Sequence, residues 1–285
     1  MPEFSPQSAL KTRTRRSRAA LLASGVASLA LPLLAVGVPE ASADTPIGTT
    51  AVTGWRLALD DNFNSINTAT WTVKNGATNS NERSYLIDDN VTTSAGLLRI
   101  QGKKQSMGGR SYTSGYLDTR RKFSLPNYFR VEIRAKVPLE MGMWAAPMWF
   151  RPADGGAGEI DLLETYGADL QKFGNYHYHH TVHNAYGSGH QTNQKQGTLS
   201  SPLAWHTYTI EKTAGQITMF VDGRQTGLWK QGDPTWFNSI FEAGKKWAMI
   251  TNLQIGGHRG DPNAGTDWSG DKTTLQVDYV RAWTK

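Results

Sequence analysis

Phe129-Arg130-Val131-Glu132-Ile133-Arg134-Ala135-Lys136-Val137 alternates apolar and charged residues without a break. Successive side chains of a β-strand point to opposite faces, so this run reads as a strand with one face buried and the other in water. The same signature returns in Thr207–Thr213 and Gln216–Val221, which are separated by Ala214-Gly215. Asp222-Gly223 then supplies a second tight-turn signal, and Leu275–Trp283 closes the chain with another strand-like run. No long segment carries a helical period. The chain therefore reads as all-β, and two packed antiparallel sheets are the architecture that buries so many short strands.

The first 43 residues read differently. Lys11, Arg13, Arg15, Arg16 and Arg18 lead into the apolar stretch Ala19–Val38, which closes on Ala41-Ser42-Ala43. A basic run, an apolar run and a small-residue exit are the order of a secretory signal, with cleavage expected before Asp44. A membrane anchor is the competing reading, and the Gly, Ser and Pro within the apolar stretch speak against it. Residues 44–54 read as a polar lead-in and 55–285 as a single domain. The expected product is a secreted, extracellular monomer with no membrane attachment after cleavage. Much of the formal charge of +6 leaves with the signal. The remaining charge is interspersed, with no Lys/Arg block to neutralise phosphates, so a nucleic-acid partner is not expected. The chain has no cysteine, and an exported protein without disulfides must be held by its core.

Gly158-Glu159-Ile160-Asp161-Leu162-Leu163-Glu164 is the segment that points to chemistry. Three acids alternate with apolar residues inside what reads as a strand. In a regular strand Glu159 and Asp161 share a face, whereas Glu164, five positions from Glu159, points the other way. One extra residue repairs the parity, so a β-bulge is predicted at Leu162-Leu163, bringing all three carboxylates to one face. Like charges at short range raise at least one carboxyl pKa, which suits a pair in which one Glu attacks and the other donates a proton. A solvated acidic strand, or a cation site made of the same acids, is the bland alternative.

The segment resembles the Glu-aliphatic-Asp-x-x-Glu motif of glycoside hydrolase family 16, the laminarinase, agarase and carrageenase group. Tyr112-Thr-Ser-Gly115, His179-His-Thr-Val-His183, Trp205–Glu211, Val221-Asp222-Gly223, Asn252–Gly257 and Val277–Arg281 follow in that family's order, so the resemblance covers roughly Leu57 to Trp283. It implies a jelly-roll β-sandwich of the concanavalin A-like kind with an open cleft across a concave sheet. It further implies Glu159 as nucleophile, Asp161 as its assistant, Glu164 as acid/base, and a polysaccharide as partner. The six-residue form of the motif resembles enzymes acting on β-1,3-glucans and marine galactans, and endo-β-1,3-glucanase is the first reading. Gly142-Met-Trp144-Ala-Ala-Pro147-Met-Trp149 departs from the family's Gly-x-Trp-Pro-Ala-x-Trp, with Pro displaced and one residue added. Lys212 stands where laminarinases often carry Trp. A galactan hydrolase, a transglycosylase and a non-catalytic glucan-binding module are the alternatives, and the three retained acids argue against the last.

Sugar rings stack on aromatic faces, and Trp144 and Trp149, just before the acidic strand, are the leading cleft candidates, ahead of Trp236 and Trp268. His177, His179, Thr181 and His183 share a face at period two. A zinc ladder is the less favoured reading of that spacing. The resemblance instead puts His179 and His183 beside the carboxylates, with Glu82 at another cleft position. Asn252 and Gln254 share a strand face, and uncharged amides suit hydroxyl-rich ligands. No cofactor is required. The family often carries a structural calcium, whose ligand here would be Asp278, although Asn62 stands where the family usually has Glu.

Overall fold

The computed structural model describes residues 51–285 apart from Ala243 and His258. The signal segment and most of the lead-in therefore lie outside the described residues. Strands are numbered along the chain. One sheet runs in the order β13 (Thr192–Thr198), β12 (His177–His183), β11 (Glu159–Tyr166), β10 (Met143–Pro152), β17 (Trp247–Ile255), β8 (Tyr116–Asp118) and β2 (Thr72–Val73). The other runs β16 (Arg224–Lys230), β15 (Gln216–Val221), β14 (His206–Thr213), β9 (Phe129–Lys136), β18 (Thr274–Thr284), β6 (Leu97–Gln101) and β5 (Val91–Ser94), with β1 (Arg56–Asp61) added on β18. A small sheet joins β3 (Ala77–Thr78), β4 (Ser84–Leu86) and β7 (Tyr112–Ser114), and its β4–β7 pair is parallel. The α-helices among the described residues are short, α1 (Asp169–Phe173) and α2 (Phe237–Phe241), and Asp88–Asn90 forms a 3-10 turn.

The jelly-roll sandwich follows from the alternation already visible in the sequence. Phe129, Val131, Ile133 and Ala135 of β9 are wholly buried between the sheets. Outside them, Arg130 meets Glu132 and Glu211, and Arg134 meets Asp278. Asp222 and Gly223 take φ of 50° and 75°, the left-handed pair a two-residue hairpin needs to match the twist of β15 and β16. Phe129 packs on Phe150 across the sandwich with ring centroids 5.0 Å apart. Lys212 lies buried on β14, donating to the carbonyl of Phe241 at 2.7 Å and to Asn127 Oδ1 at 3.1 Å. Burial lowers its ammonium pKa to about 8. At this departure from the family pattern, the lysine ties α2 to the core.

Candidate active site

The acidic strand sits near the middle of the seven-stranded sheet. On its β12 side Asp161 stands opposite Thr181, and the next matched pair is Glu164 with His179. Three steps along β11 are matched by two along β12, so one residue is extra, as the parity of the acids predicts. Leu162 and Leu163 both turn into the core and are wholly buried. Two consecutive apolar side chains can be buried on one side only where the alternation breaks. On the other flank, β10 carries a bulge of its own: Ala146 pairs with Asn252, but the next pair is Trp149 with Ile250. Pro147 lies inside it, where a missing N–H costs the ladder nothing. The residue added between the tryptophans is absorbed there, which leaves Trp149 partly exposed.

Each carboxylate has its own partners. Trp144 Nε1 donates to Glu164 Oε1 at 2.8 Å, and Thr181 Oγ1 donates to Glu164 Oε2 at 3.4 Å. His183 Nε2 lies 2.8 Å from Asp161 Oδ2 and 3.7 Å from Glu159 Oε1, and Arg151 Nε lies 3.8 Å from Glu159 Oε2. Burial, and then the neighbouring Asp161, push the Glu159 carboxyl well above its usual range, against the pull of His183 and Arg151. Burial, and then Glu164, do the same to Asp161. Both groups therefore hold a proton more readily than a free carboxyl does. Burial also lowers the His183 pKa, which favours its neutral form. The proton between His183 and Asp161 then sits on Nε2 while Asp161 is ionised and on the carboxyl when it is not.

Residues 66–281 match the family described as Glycosyl hydrolases family 16. The chain belongs to that family. It is 33% identical to the "Beta-glucanase" of Rhodothermus marinus over 68% of this chain and 70% of that protein. It is 27% identical to the "Glucan endo-1,3-beta-glucosidase A1" of Niallia circulans, matching across 84% of this chain but spanning only 40% of that longer protein. Among solved structures, the laminarinase from Rhodothermus marinus superposes with a TM-score of 0.68 at 30% identity, covering 81% of this chain and 97% of that one. As a member of family 16, the protein is a glycoside hydrolase acting on O-glycosyl bonds.

Not every residue that the sequence singled out stands on the open face of this family 16 domain. Trp144 is 5% exposed and packs edge-on against Tyr166, so it is a donor to Glu164 rather than a free stacking platform. Trp149 is partly exposed beside Tyr116, and its Nε1 fixes the Asn252 amide by donating to Oδ1 at 2.8 Å. That leaves the Asn252 Nδ2 donors without a partner among the described residues. Gln254 stands opposite Trp144 in the ladder. His179 is opposite Glu164, but its Nε2 meets Asp169 Oδ2 at 2.8 Å, and His177 also approaches Asp169. Glu82 is 1% exposed, with Asn79 and Ser84 donating to its two oxygens, and burial raises its pKa to about 7. The sequence thus named a buried network member, not a surface contact. Asp278 is ion-paired with Arg134. A cation there would meet a guanidinium, so these residues do not fit a calcium site. Among the described residues, the group close enough to hold a metal is Glu159, Asp161 and His183.

Sequence reading missed Arg151, Arg259, Thr181, Asp169 and His190. Arg259 stacks its guanidinium 4.4 Å over the Tyr166 ring, and His190 Nε2 meets His183 Nδ1 at 2.8 Å. These residues come from loops, from the start of α1, or from strand positions whose partners are set only by pairing. Thr181 had a signal, since it shares the period-two face with His179 and His183.

Proposed function

We propose that the protein is an endo-β-1,3-glucanase working by retaining double displacement, with Glu159 as nucleophile, Glu164 as acid/base and Asp161 orienting Glu159. The bulged row, in which three acids share a face but hold different partners, carries this reading. In the first step a Glu159 oxygen attacks the anomeric carbon as the glycosidic bond breaks, and Glu164 gives its proton to the departing oxygen. In the second, Glu164 takes a proton from water, the water oxygen attacks the same carbon, and Glu159 leaves as carboxylate with the configuration retained. Trp149, Asn252, Gln254 and His183 would contact the sugar, and Trp144 and Thr181 would hold Glu164. The choice of β-1,3-glucan rests on the relatives' names.

The experiment is product sizing. Protein collected from the culture medium, expected to begin at Asp44 after export, is incubated with laminarin, mixed-linkage glucan, agarose and carrageenan. Laminarin should be cut to short oligosaccharides of mixed length, with water as the main acceptor. Cutting of agarose or carrageenan alone would overturn the substrate assignment. Longer products in place of shorter ones would mark a transglycosylase.

A pH dependence follows from the Glu159 environment. The nucleophile must be ionised, so kcat/KM is lost as pH falls through its raised pKa, and the acid limb should lie above 4.5, the ordinary value for Glu. Arg151 favours the charged form. Arg151→Ala should therefore move that limb to higher pH, and a limb that stays put or moves down would contradict the assignment.

A further inference from the structure

His180 takes no part in the open face. It lies on β12 between His179 and Thr181, points into the sandwich and is wholly buried. The ladder places it opposite the stretch where β11 carries its extra residue, between the pairs Asp161 with Thr181 and Glu164 with His179. A bulge takes the extra residue's backbone out of ladder pairing. In a buried strand such a polar group needs another partner. Here the Leu162 carbonyl finds one in His180 Nδ1. On the far side of the ring, His180 Nε2 lies 2.9 Å from Thr226 Oγ1 on β16, in the opposite sheet. A carbonyl can only accept, so Nδ1 carries the proton. Burial lowers the ring pKa to about 4, which keeps it neutral, and Nε2 then accepts from the Thr226 hydroxyl. Beside the bridge, a Cβ at Gly227 would crowd the Trp229 ring at 3.0 Å and only touch His180 Cδ2 at 3.4 Å.

We infer that His180 is a positioning residue that pins the β11 bulge through the Leu162 carbonyl and thereby aims Glu164, two residues on, at the leaving oxygen. The inference rests on Glu164 being the acid/base. If the carbonyl loses its donor, the backbone at the bulge can turn to find another, and the Glu164 carboxyl moves with it. A displacement of about 1 Å in a catalytic group costs up to about 100-fold in rate.

Two isosteres separate this from a general packing role. An Asn amide nitrogen sits near the place of Nδ1, and a Gln amide nitrogen near that of Nε2. His180→Asn therefore keeps the donor to Leu162 and gives up Thr226, whereas His180→Gln gives up Leu162 and still meets Thr226, with the amide nitrogen now donating to Oγ1 and that hydroxyl turned to the Met219 carbonyl 3.3 Å away. Each variant, confirmed folded by circular dichroism and thermal melting, is assayed for kcat/KM on laminarin and on dinitrophenyl β-laminaribioside, whose leaving group needs no proton. His180→Gln should lose about 10- to 100-fold on laminarin and stay within about two-fold on the aryl glycoside, while His180→Asn should stay within about three-fold of the parent on both. Equal losses on the two substrates, or a larger loss in the Asn variant, would overturn the positioning role. Glu164→Ala is the control. If it shows no dependence on the leaving group, the acid/base assignment itself fails; if it does and His180→Gln does not, only the His180 inference fails.

Discussion

Glu159→Gln should lower turnover of β-1,3-glucan by roughly five orders of magnitude while leaving the melting temperature close to that of the parent, because an amide cannot form the glycosyl ester on which the second step depends. The substitution keeps the side chain's volume, and Glu159 is the edge member of the acidic row, with Arg151 and His183 as its nearest charged or polar neighbours. Removing a carboxyl whose pKa burial has raised relieves a conflict instead of breaking the core, so little stability should be lost. A fluorinated laminaribiosyl substrate that reacts slowly in the second step should label the parent enzyme on the peptide holding Glu159, seen by mass spectrometry. Near-normal turnover in the variant, or a label on another carboxylate, would sink the assignment.

Glu164→Ala should reduce kcat/KM on laminarin by about 10²- to 10⁴-fold, the usual contribution of a positioned general acid. The loss should nearly vanish with a dinitrophenyl leaving group, which departs without a proton. Added azide should restore the second step and yield a glycosyl azide, since a small anionic nucleophile needs no base and fits where the carboxylate was removed. Trp144 Nε1 and Thr181 Oγ1 lose their acceptor in this variant. A buried donor without a partner costs about 1–3 kcal/mol, so the variant should melt lower than Glu159→Gln. If the two substrates suffer alike, Glu164 is not the acid.

The local β pattern and the parity of the acids were legible in the sequence. Phe129–Lys136 appears as β9 with its predicted buried face, and the hairpin at Asp222-Gly223 stands where the turn signal placed it. The bulge was legible because Glu164 would otherwise have put a charge into the core beside Leu163, and water's hold on a carboxylate forbids that. Partners across strands were less legible. Trp144 read as a sugar platform, but the register of β10 against β11 sets it beside Tyr166 and Glu164. Glu82 read as a cleft residue, but Asn79 and Ser84 enclose it.

What the sequence by itself determined about this protein is which residues face in, which face out, and that three acids must share the outward side of one strand. Those are matters of period and polarity, carried within a few neighbouring positions. The tertiary structure alone decided which nitrogen meets which carboxylate, that Arg151 and Arg259 stand over the row, and that His180 closes the bulge from behind. Each of these contacts joins residues from different strands or loops, and only the register between strands brings such groups within hydrogen-bonding distance.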